Sequence, residues 1–165
     1  MWLPGRAAVL LLFVLLTAGC GYHFAGTTPL ILPEGVRTLT ISRVNNPTIL
    51  PWIGPELRNS VWDEISRRSE AVLKDSGGAE ATLEMDIVRY SASTLLEGRS
   101  EQTVKSQVVL VVDGRLVRRG GGVVWSSGPV TVNETFVSEG QEREAAELAV
   151  QKVARRIVDR LDRSF

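Results

Sequence analysis

Apolar and polar residues alternate along four stretches of the chain and recur with helical spacing along two others. The alternation predicts half-buried strands over residues 36–44, 82–95, 104–117 and 123–136. The helical spacing predicts one helix from Pro55 to about Arg68 and a second near the C-terminal end. The segment "EAVLKD", residues 70–75, predicts a further short strand.

Each predicted helix has one apolar stripe. In the first helix the stripe consists of Leu57, Val61, Trp62 and Ile65, and the opposite face carries Glu56, Arg58, Asp63, Glu64 and Arg67. In the second helix the stripe consists of Ala146, Val150, Val153, Ile157 and Leu161. Ser138 and Gln141 have the spacing of a capping box, and acids crowd the start of this helix while bases crowd its end.

Each of the two long central strands has an apolar and a polar face. In the first of them, Leu83, Met85 and Ile87 face one side, and Thr82, Glu84, Asp86 and Tyr90 face the other. In the second, Val104, Val108, Leu110 and Val112 oppose Lys105, Gln107 and Asp113. "RRGGG", residues 118–122, predicts a hairpin turn, and Pro129 predicts a sheet edge or bulge in the last strand.

The order of elements is β-α-β-β-β-α, which predicts an α+β fold. Three consecutive long strands joined by short turns predict an antiparallel meander. Two amphipathic helices then cover one face of a four-stranded mixed sheet. At 165 residues the chain is long enough for one such domain with a single core.

The first 19 residues differ from the rest of the chain. Arg6 precedes an almost unbroken apolar run over residues 7–16, and small residues come after it. This is the pattern of a cleaved signal peptide, because the run is too short to span a bilayer of roughly 30 Å. We therefore expect a signal peptide over residues 1–19, an anchor and tether over residues 20–35, and one domain over residues 36–165.

The chemistry available to the chain favours a binding or structural protein. Lysine plus arginine and aspartate plus glutamate number 19 each, which gives no net positive charge for a nucleic-acid partner. The single cysteine is Cys20 and the single histidine is His23, so neither a catalytic triad nor a metal site can be built away from the N-terminus. The glycines of "RRGGG" lie between two strands rather than before a helix, which argues against a phosphate cradle. We expect no enzyme activity, cofactor or metal.

The segment "LTAGC" resembles the lipobox of bacterial lipoproteins, with Ala18 and Gly19 as the small residues before Cys20. The resemblance implies that Cys20 receives diacylglycerol, becomes the N-terminus after cleavage and is then N-acylated. Thr17 departs from the leucine that is most frequent at its position. Gly21 follows the cysteine in place of the aspartate that favours inner-membrane retention. The implied location is the periplasmic face of the outer membrane, since several acyl chains anchor firmly.

The opening "CGYHFAG" of the mature chain resembles the LptE family of lipopolysaccharide-assembly lipoproteins, and the order of the predicted elements agrees with that family. The resemblance implies a domain that plugs the LptD barrel, helps to assemble it and assists lipopolysaccharide insertion into the outer leaflet. It also implies lipopolysaccharide binding through a basic residue in the turn "LLEGRSEQT", where Arg99 lies. A second basic position of some members is Ser138 here, which departs from a shared two-residue phosphate site.

The residues around that turn add two further candidates for lipopolysaccharide binding, Arg89 and Lys105. The alternative for Arg99 is an ordinary solvated turn arginine. For the protein as a whole, the alternatives are a generic envelope lipoprotein, such as a pilotin-like chaperone of another outer-membrane complex, and a periplasmic lipid-processing enzyme. The first lacks a reason for the "CGYHF" opening, and the second lacks catalytic groups.

Overall fold

A computed structural model describes residues 30–75, 77–95 and 105–162. Cys20, Arg99 and the predicted signal peptide lie outside these residues. The strands are β1 (Thr38–Ile41), β2 (Val72–Leu73), β3 (Ala81–Leu95), β4 (Lys105–Arg118), β5 (Val123–Ser126) and β6 (Val130–Phe136). The helices are α1 (Ile53–Arg68) and α2 (Glu142–Asp162), and short 3-10 turns span Pro33–Gly35 and Glu139–Gln141.

The strands form one mixed sheet in the order β2-β1-β3-β4-β5, and β6 also pairs with β4. β1 is parallel to both β2 and β3, whereas β3, β4, β5 and β6 pair antiparallel. The predicted meander and mixed sheet are therefore confirmed. The sheet has six strands rather than four, because "EAVLKD" forms the short β2 and the last predicted strand is divided in two.

That division occurs at Pro129. β5 ends at Ser126 and β6 starts at Val130, and both lie on the same side of β4. Proline has no N–H to donate to a ladder, so the strand breaks where the sequence predicted an irregularity. The "RRGGG" segment forms the β4–β5 turn, as predicted. Gly120, Gly121 and Gly122 all have φ near +100°, a conformation that residues with a Cβ rarely adopt.

One face of the sheet is covered by both helices, as the sequence predicted. Strand residues on this face, among them Leu39, Leu83, Leu110 and Val132, pack in one cluster with the buried stripes of α1 and α2. The five residues of the predicted α2 stripe are all buried: Ala146, Val150, Val153, Ile157 and Leu161. The opposite face of the sheet, which neither helix covers, is called the open face.

A β-bulge in β3 changes which side chains reach the open face. The register is continuous to Ile87, opposite Val112, and resumes with Arg89 opposite Val111, so Val88 is the extra residue. Tyr90 then lies opposite the buried Leu110, on the helix-covered face. The prediction that Tyr90 shares a face with Glu84 and Asp86 is wrong, because the extra residue reverses the alternation.

The first helix departs from prediction at its start and on its polar face. It begins at Ile53, which places Pro55 at the third position, still within the first turn where no backbone N–H is needed. Glu64, predicted to face solvent, is buried with 7% of its surface exposed. Its Oε1 accepts hydrogen bonds from Nη2 of Arg67 at 2.9 Å and Nε of Arg155 at 3.1 Å, which links α1 to α2.

The predicted capping box before α2 does not form. The side chain of Gln141 accepts a hydrogen bond from the N–H of Val137 at 3.2 Å rather than from that of Ser138. The N–H of Gln141 donates to the backbone carbonyl of Ser138, as expected for the 3-10 turn that precedes the helix.

The outer edge of β6 is covered by side chains from α2. Arg156 donates to the carbonyl of Thr131 at 2.6 Å, and Arg160 donates to the carbonyls of Ser127 and Pro129 at 2.6 and 3.2 Å. An unpaired strand edge is a template for association with another chain, and cations are a common means of blocking it. This edge of the sheet is therefore covered from Ser127 to Thr131.

Candidate functional site

Arg89 and Lys105 lie on the long β3–β4 hairpin and share the open face of the sheet. Arg89 lies opposite Val111, and Lys105 starts β4 opposite Leu95. Both are exposed. Six residues of β4 separate Lys105 from Val111, which places the two cations about 20 Å apart along the hairpin at roughly 3.3 Å per residue. Lys105 is adjacent in sequence to the segment that carries Arg99, which lies outside the described residues.

The bulge at Val88 places Arg89 on this face. Without the extra residue, Arg89 would continue the alternation of Leu83, Met85 and Ile87, whose side chains are buried under the helices. With it, the guanidinium is solvent-exposed, and it makes no hydrogen bond or ion pair with another described residue. Arg89 is thus available to an anionic ligand.

The side chains around these two cations are neutral hydrogen-bonding groups and two valines. Alternation across β3, β4 and β6 gives the members of this surface, which we call the hairpin face: Arg89, Ser91, Ser93, Lys105, Gln107, Val109, Val111, Thr131, Asn133 and Thr135. Among these described residues there is no acid. The hairpin face therefore combines two cations with hydroxyl and amide groups, which suits a phosphate-bearing ligand.

The rest of the open face carries acidic side chains. Asp86 and Asp113 lie directly opposite each other in the β3–β4 register, and Glu84 lies opposite Arg115. Asp86 accepts hydrogen bonds from Arg115 at 2.6 Å and from the side-chain amide of Asn45 at 3.0 Å. Of the two acids that the sequence placed on the polar face of β3, Glu84 and Asp86, it is Asp86 that is bonded within the sheet. Across the described residues of the open face, acids are grouped at this end and the hairpin face carries none.

The half-buried side chain of Tyr90 joins the β3–β4 hairpin to α2. The hydroxyl of Tyr90 donates to Oε1 of Glu142, the first residue of α2, at 3.1 Å. Burial and this hydrogen bond to a carboxylate raise the pKa of Tyr90 to about 12. Beyond Tyr90, residues 92–94 of β3 are exposed on both faces of the sheet, whereas Val108 of β4, opposite Ala92, is still buried.

The described part of the chain holds no cluster of metal ligands. No three histidine, cysteine, aspartate or glutamate side chains gather among these residues as a metal site. A cavity of about 890 Å³ lies where the segment after β1 meets the start of α1, and Arg43, Asn46 and Arg58 contribute to its walls. Within the same residues, neither helix has the length and apolarity needed to cross a membrane.

Sequence reasoning found the two described cations but not the surface around them. The neutral members of the hairpin face come from three strands, and only the strand register brings Ser91, Val109 and Asn133 side by side. The position of the bulge was also missed. The only signal for it in the sequence is the run "IVRY", in which Ile87 and Val88 are adjacent apolar residues in an otherwise alternating strand.

The fold is shared by solved bacterial proteins, among them two described as lipoproteins. A minor lipoprotein from Acinetobacter baumannii superposes with a TM-score of 0.54 at 12% identity, over 78% of this chain and 92% of that one. Lipoprotein B from Nitrosomonas europaea gives 0.54 at 18% identity, over 86% and 90%. PelC from Paraburkholderia phytofirmans, a dodecamer, gives 0.50 at 19% identity, over 82% and 93%. At these identities the likeness concerns the fold alone. Comparison with curated proteins found no match.

The sequence itself carries a family assignment. The family model of LptE, described as lipopolysaccharide assembly, matches residues 36–161, which include every strand and nearly all of both helices. This match over the folded domain confirms the resemblance to the LptE family. LptE proteins are non-enzymatic outer-membrane lipoproteins that partner the LptD barrel and bind lipopolysaccharide. The chain belongs to the LptE family of lipopolysaccharide-assembly lipoproteins.

Proposed function

We propose that the protein is anchored to the outer membrane through acyl chains on Cys20 and contacts lipopolysaccharide phosphates with the hairpin face and the adjoining Arg99. The observation that carries the proposal is the charge of this face. Its described residues include the cations Arg89 and Lys105 and no acid, whereas the rest of the open face carries Asp86 and Asp113.

The chemistry of the hairpin face matches a phosphorylated amphiphile. A guanidinium can bind a phosphate through two parallel N–H···O bonds, and the neighbouring Ser91 and Ser93 can donate to the remaining phosphate oxygens. Val109 and Val111 lie between the polar groups in the middle of the face, and Val111 is only 8% exposed. Arg99, which lies in the sequence between β3 and β4, would add a third cation to the same hairpin.

The domain organisation follows from the same proposal. Residues 1–19 are the cleaved signal peptide, residues 20–35 the anchor and tether, and residues 36–165 the folded domain, against whose core the described end of the tether packs through Leu30 and Leu32. In this arrangement the domain faces the periplasm and the barrel lumen, where it acts as a plug and assists both barrel assembly and lipopolysaccharide insertion. The family match over residues 36–161 supports the last of these boundaries to within a few residues.

The lipopolysaccharide site is tested by charge reversal in the domain without its anchor. Arg89→Glu and Arg99→Glu should each weaken binding of purified lipopolysaccharide roughly tenfold, as expected for the loss of a charge-assisted hydrogen bond. The loss should shrink at high salt, because exposed charges are screened. Arg119→Glu is the matched control. It is also an exposed arginine without a side-chain partner among the described residues, at the far end of β4.

Equal binding by wild type and both hairpin variants would remove the hairpin face from lipopolysaccharide recognition. A loss of similar size in Arg119→Glu would mean that only the net charge of the domain matters. Circular dichroism of each variant checks that the fold is retained, which we expect since exposed side chains contribute little to the core.

The anchor is tested separately by intact mass. The membrane-purified protein should lack residues 1–19 and carry acyl mass on Cys20. Cys20→Ala should leave an uncleaved or mislocalised precursor, while Thr17→Leu, which brings the segment closer to the common lipobox, should still be processed. An unmodified thiol at Cys20 in the membrane-purified protein would overturn the anchor proposal without affecting the hairpin face.

A further inference from the structure

The two edges of the sheet differ in how their outward backbone groups are bonded. At the β6 edge, Arg156 and Arg160 occupy the outward carbonyls of Ser127, Pro129 and Thr131. At the other edge, β1 covers only the first half of β3. The last contact on that side joins Asn45 to this strand: its N–H donates to the carbonyl of Met85, and its carbonyl accepts from Ile87, both at 2.9 Å.

Beyond Ile87 no described residue pairs with this edge of β3. The strand register directs the backbone groups of Arg89 and Ser91 toward β4, so those of Tyr90 and Ala92 point outward. The chain that comes from β1 turns away at Asn46, and the side chain of Asn46 fixes the turn by bonding to Thr48 and Leu50. Among the described residues, none continues β1 beside Tyr90 and Ala92.

Apolar side chains line the space beside this edge. A groove of about 560 Å³ separates the turn from β3, and Pro47, Ile49, Leu50, Val88 and Ala92 contribute to its walls. Ile49 is 94% exposed, the highest value among the large apolar residues of the described chain. Val88 is 58% exposed. Arg89 lies at the rim with no anionic partner among the described residues. Glu142 also lines the groove, but its carboxylate accepts the hydrogen bond from Tyr90. We call this feature the edge groove.

We infer that the edge groove receives an extended segment of the barrel partner, which adds a strand to β3 beside Tyr90 and Ala92. The inference rests on the barrel partnership of the family. A lipid acyl chain would cover Ile49 and Val88 equally well, but it would bury the outward N–H and C=O groups of Tyr90 and Ala92 without hydrogen bonds, which is costly. A strand satisfies those groups and fills the apolar walls with its alternate side chains.

The walls of the groove define the incoming segment further. The segment is expected to direct apolar side chains toward Ile49 and Leu50. Its length is limited to about eight residues, because the edge runs from Val88 to the end of β3 at Leu95.

The test uses the full lipoprotein assembled with its barrel and a pair of variants at one position. Ala92→Pro removes an outward N–H that does not belong to the β3–β4 ladder, and proline is tolerated at such an edge position. Ala92→Val keeps the N–H and favours a strand. Dissociation of the lipoprotein from the barrel, followed by exchange with tagged wild type, should be roughly three- to tenfold faster for Ala92→Pro than for Ala92→Val.

Hydrogen exchange on wild type keeps the test independent of how the variants fold. Amides in residues 88–95 should exchange more slowly in the complex than in the isolated lipoprotein. Equal dissociation of the two variants, or equal exchange in both states, would overturn the strand addition. Slow exchange already in the isolated lipoprotein would also overturn it, since a segment of this chain would then occupy the edge. If wild type itself failed to bind the barrel, the proposed plug function would fall instead.

Discussion

Truncation of Ile157 to alanine is the sharpest test of how the second helix is held on the sheet. Ile157 has no exposed surface, and a methyl group placed on Gly114 of β4 would lie 3.5 Å from its Cγ2. The helix therefore approaches the sheet closely where the strand carries no side chain. Ile157 fills the space between them.

The expected cost follows from the atoms removed. Three buried carbon atoms at about 0.8 kcal/mol each account for roughly 2.4 kcal/mol, and the cavity left in a rigid helix–sheet interface adds a further 1 kcal/mol or so. The better helix propensity of alanine reduces this loss by about 0.4 kcal/mol. We therefore expect Ile157→Ala to lower the free energy of unfolding by about 3 kcal/mol and the Tm by roughly 10 °C.

Urea denaturation of the domain without its anchor measures this loss, with an unchanged m-value as the sign that the folded state is otherwise intact. Leu148→Ala is the control on the same helix, because Leu148 is 42% exposed and should lose well under half as much. A loss below about 0.5 kcal/mol for Ile157→Ala would refute the packing of α2 on the sheet.

Three further predictions concern polar contacts. Tyr90 should titrate near pH 12 by phenolate absorbance, assigned with Tyr90→Phe; since its pKa is raised from 10.0, its contribution to stability is complete below about pH 10 and is lost as the pH rises through 12. Glu64→Ala should cost about 1–2 kcal/mol in urea denaturation, whereas Glu64→Leu should cost less, because an apolar side chain of similar size can replace a buried ion. Replacing both Arg156 and Arg160 with alanine should open the β6 edge and increase self-association, measured by light scattering at several protein concentrations.

The parts of the fold that follow from periodicity could be predicted from the sequence. The stripe from Ala146 to Leu161 needs only the helical period, and the alternation of Leu83, Met85 and Ile87 needs only the pleat. Both patterns arise within one element, so neighbours along the chain suffice to reveal them. Pro129 and the glycines after Arg119 act in the same local way on the backbone.

Glu64 could not be placed in this manner. A glutamate at the margin of an apolar stripe usually faces solvent, and it is Arg155, 91 residues later in the chain, that makes burial tolerable. The same holds for the hairpin face, whose members come from three strands and meet only through pairing. The burial of Glu64 and the composition of the hairpin face both depend on contacts between elements that are distant in sequence. No pattern within one element predicts such contacts.

The bulge at Val88 is a local feature of one strand that determines contacts between elements distant in sequence. One extra residue in β3 turns Tyr90 toward Glu142 and Arg89 toward the open face. In a regular strand the two would exchange places, which would bury a guanidinium under the helices and expose the tyrosine. The position of the bulge also coincides with the point at which the segment after β1 leaves the edge of β3, at Asn45. A single local irregularity therefore sets the charge of the candidate lipopolysaccharide-binding face and the start of the edge groove beside it. Both proposed contacts are for this reason expected to depend on the length of β3, and not only on the side chains that it carries.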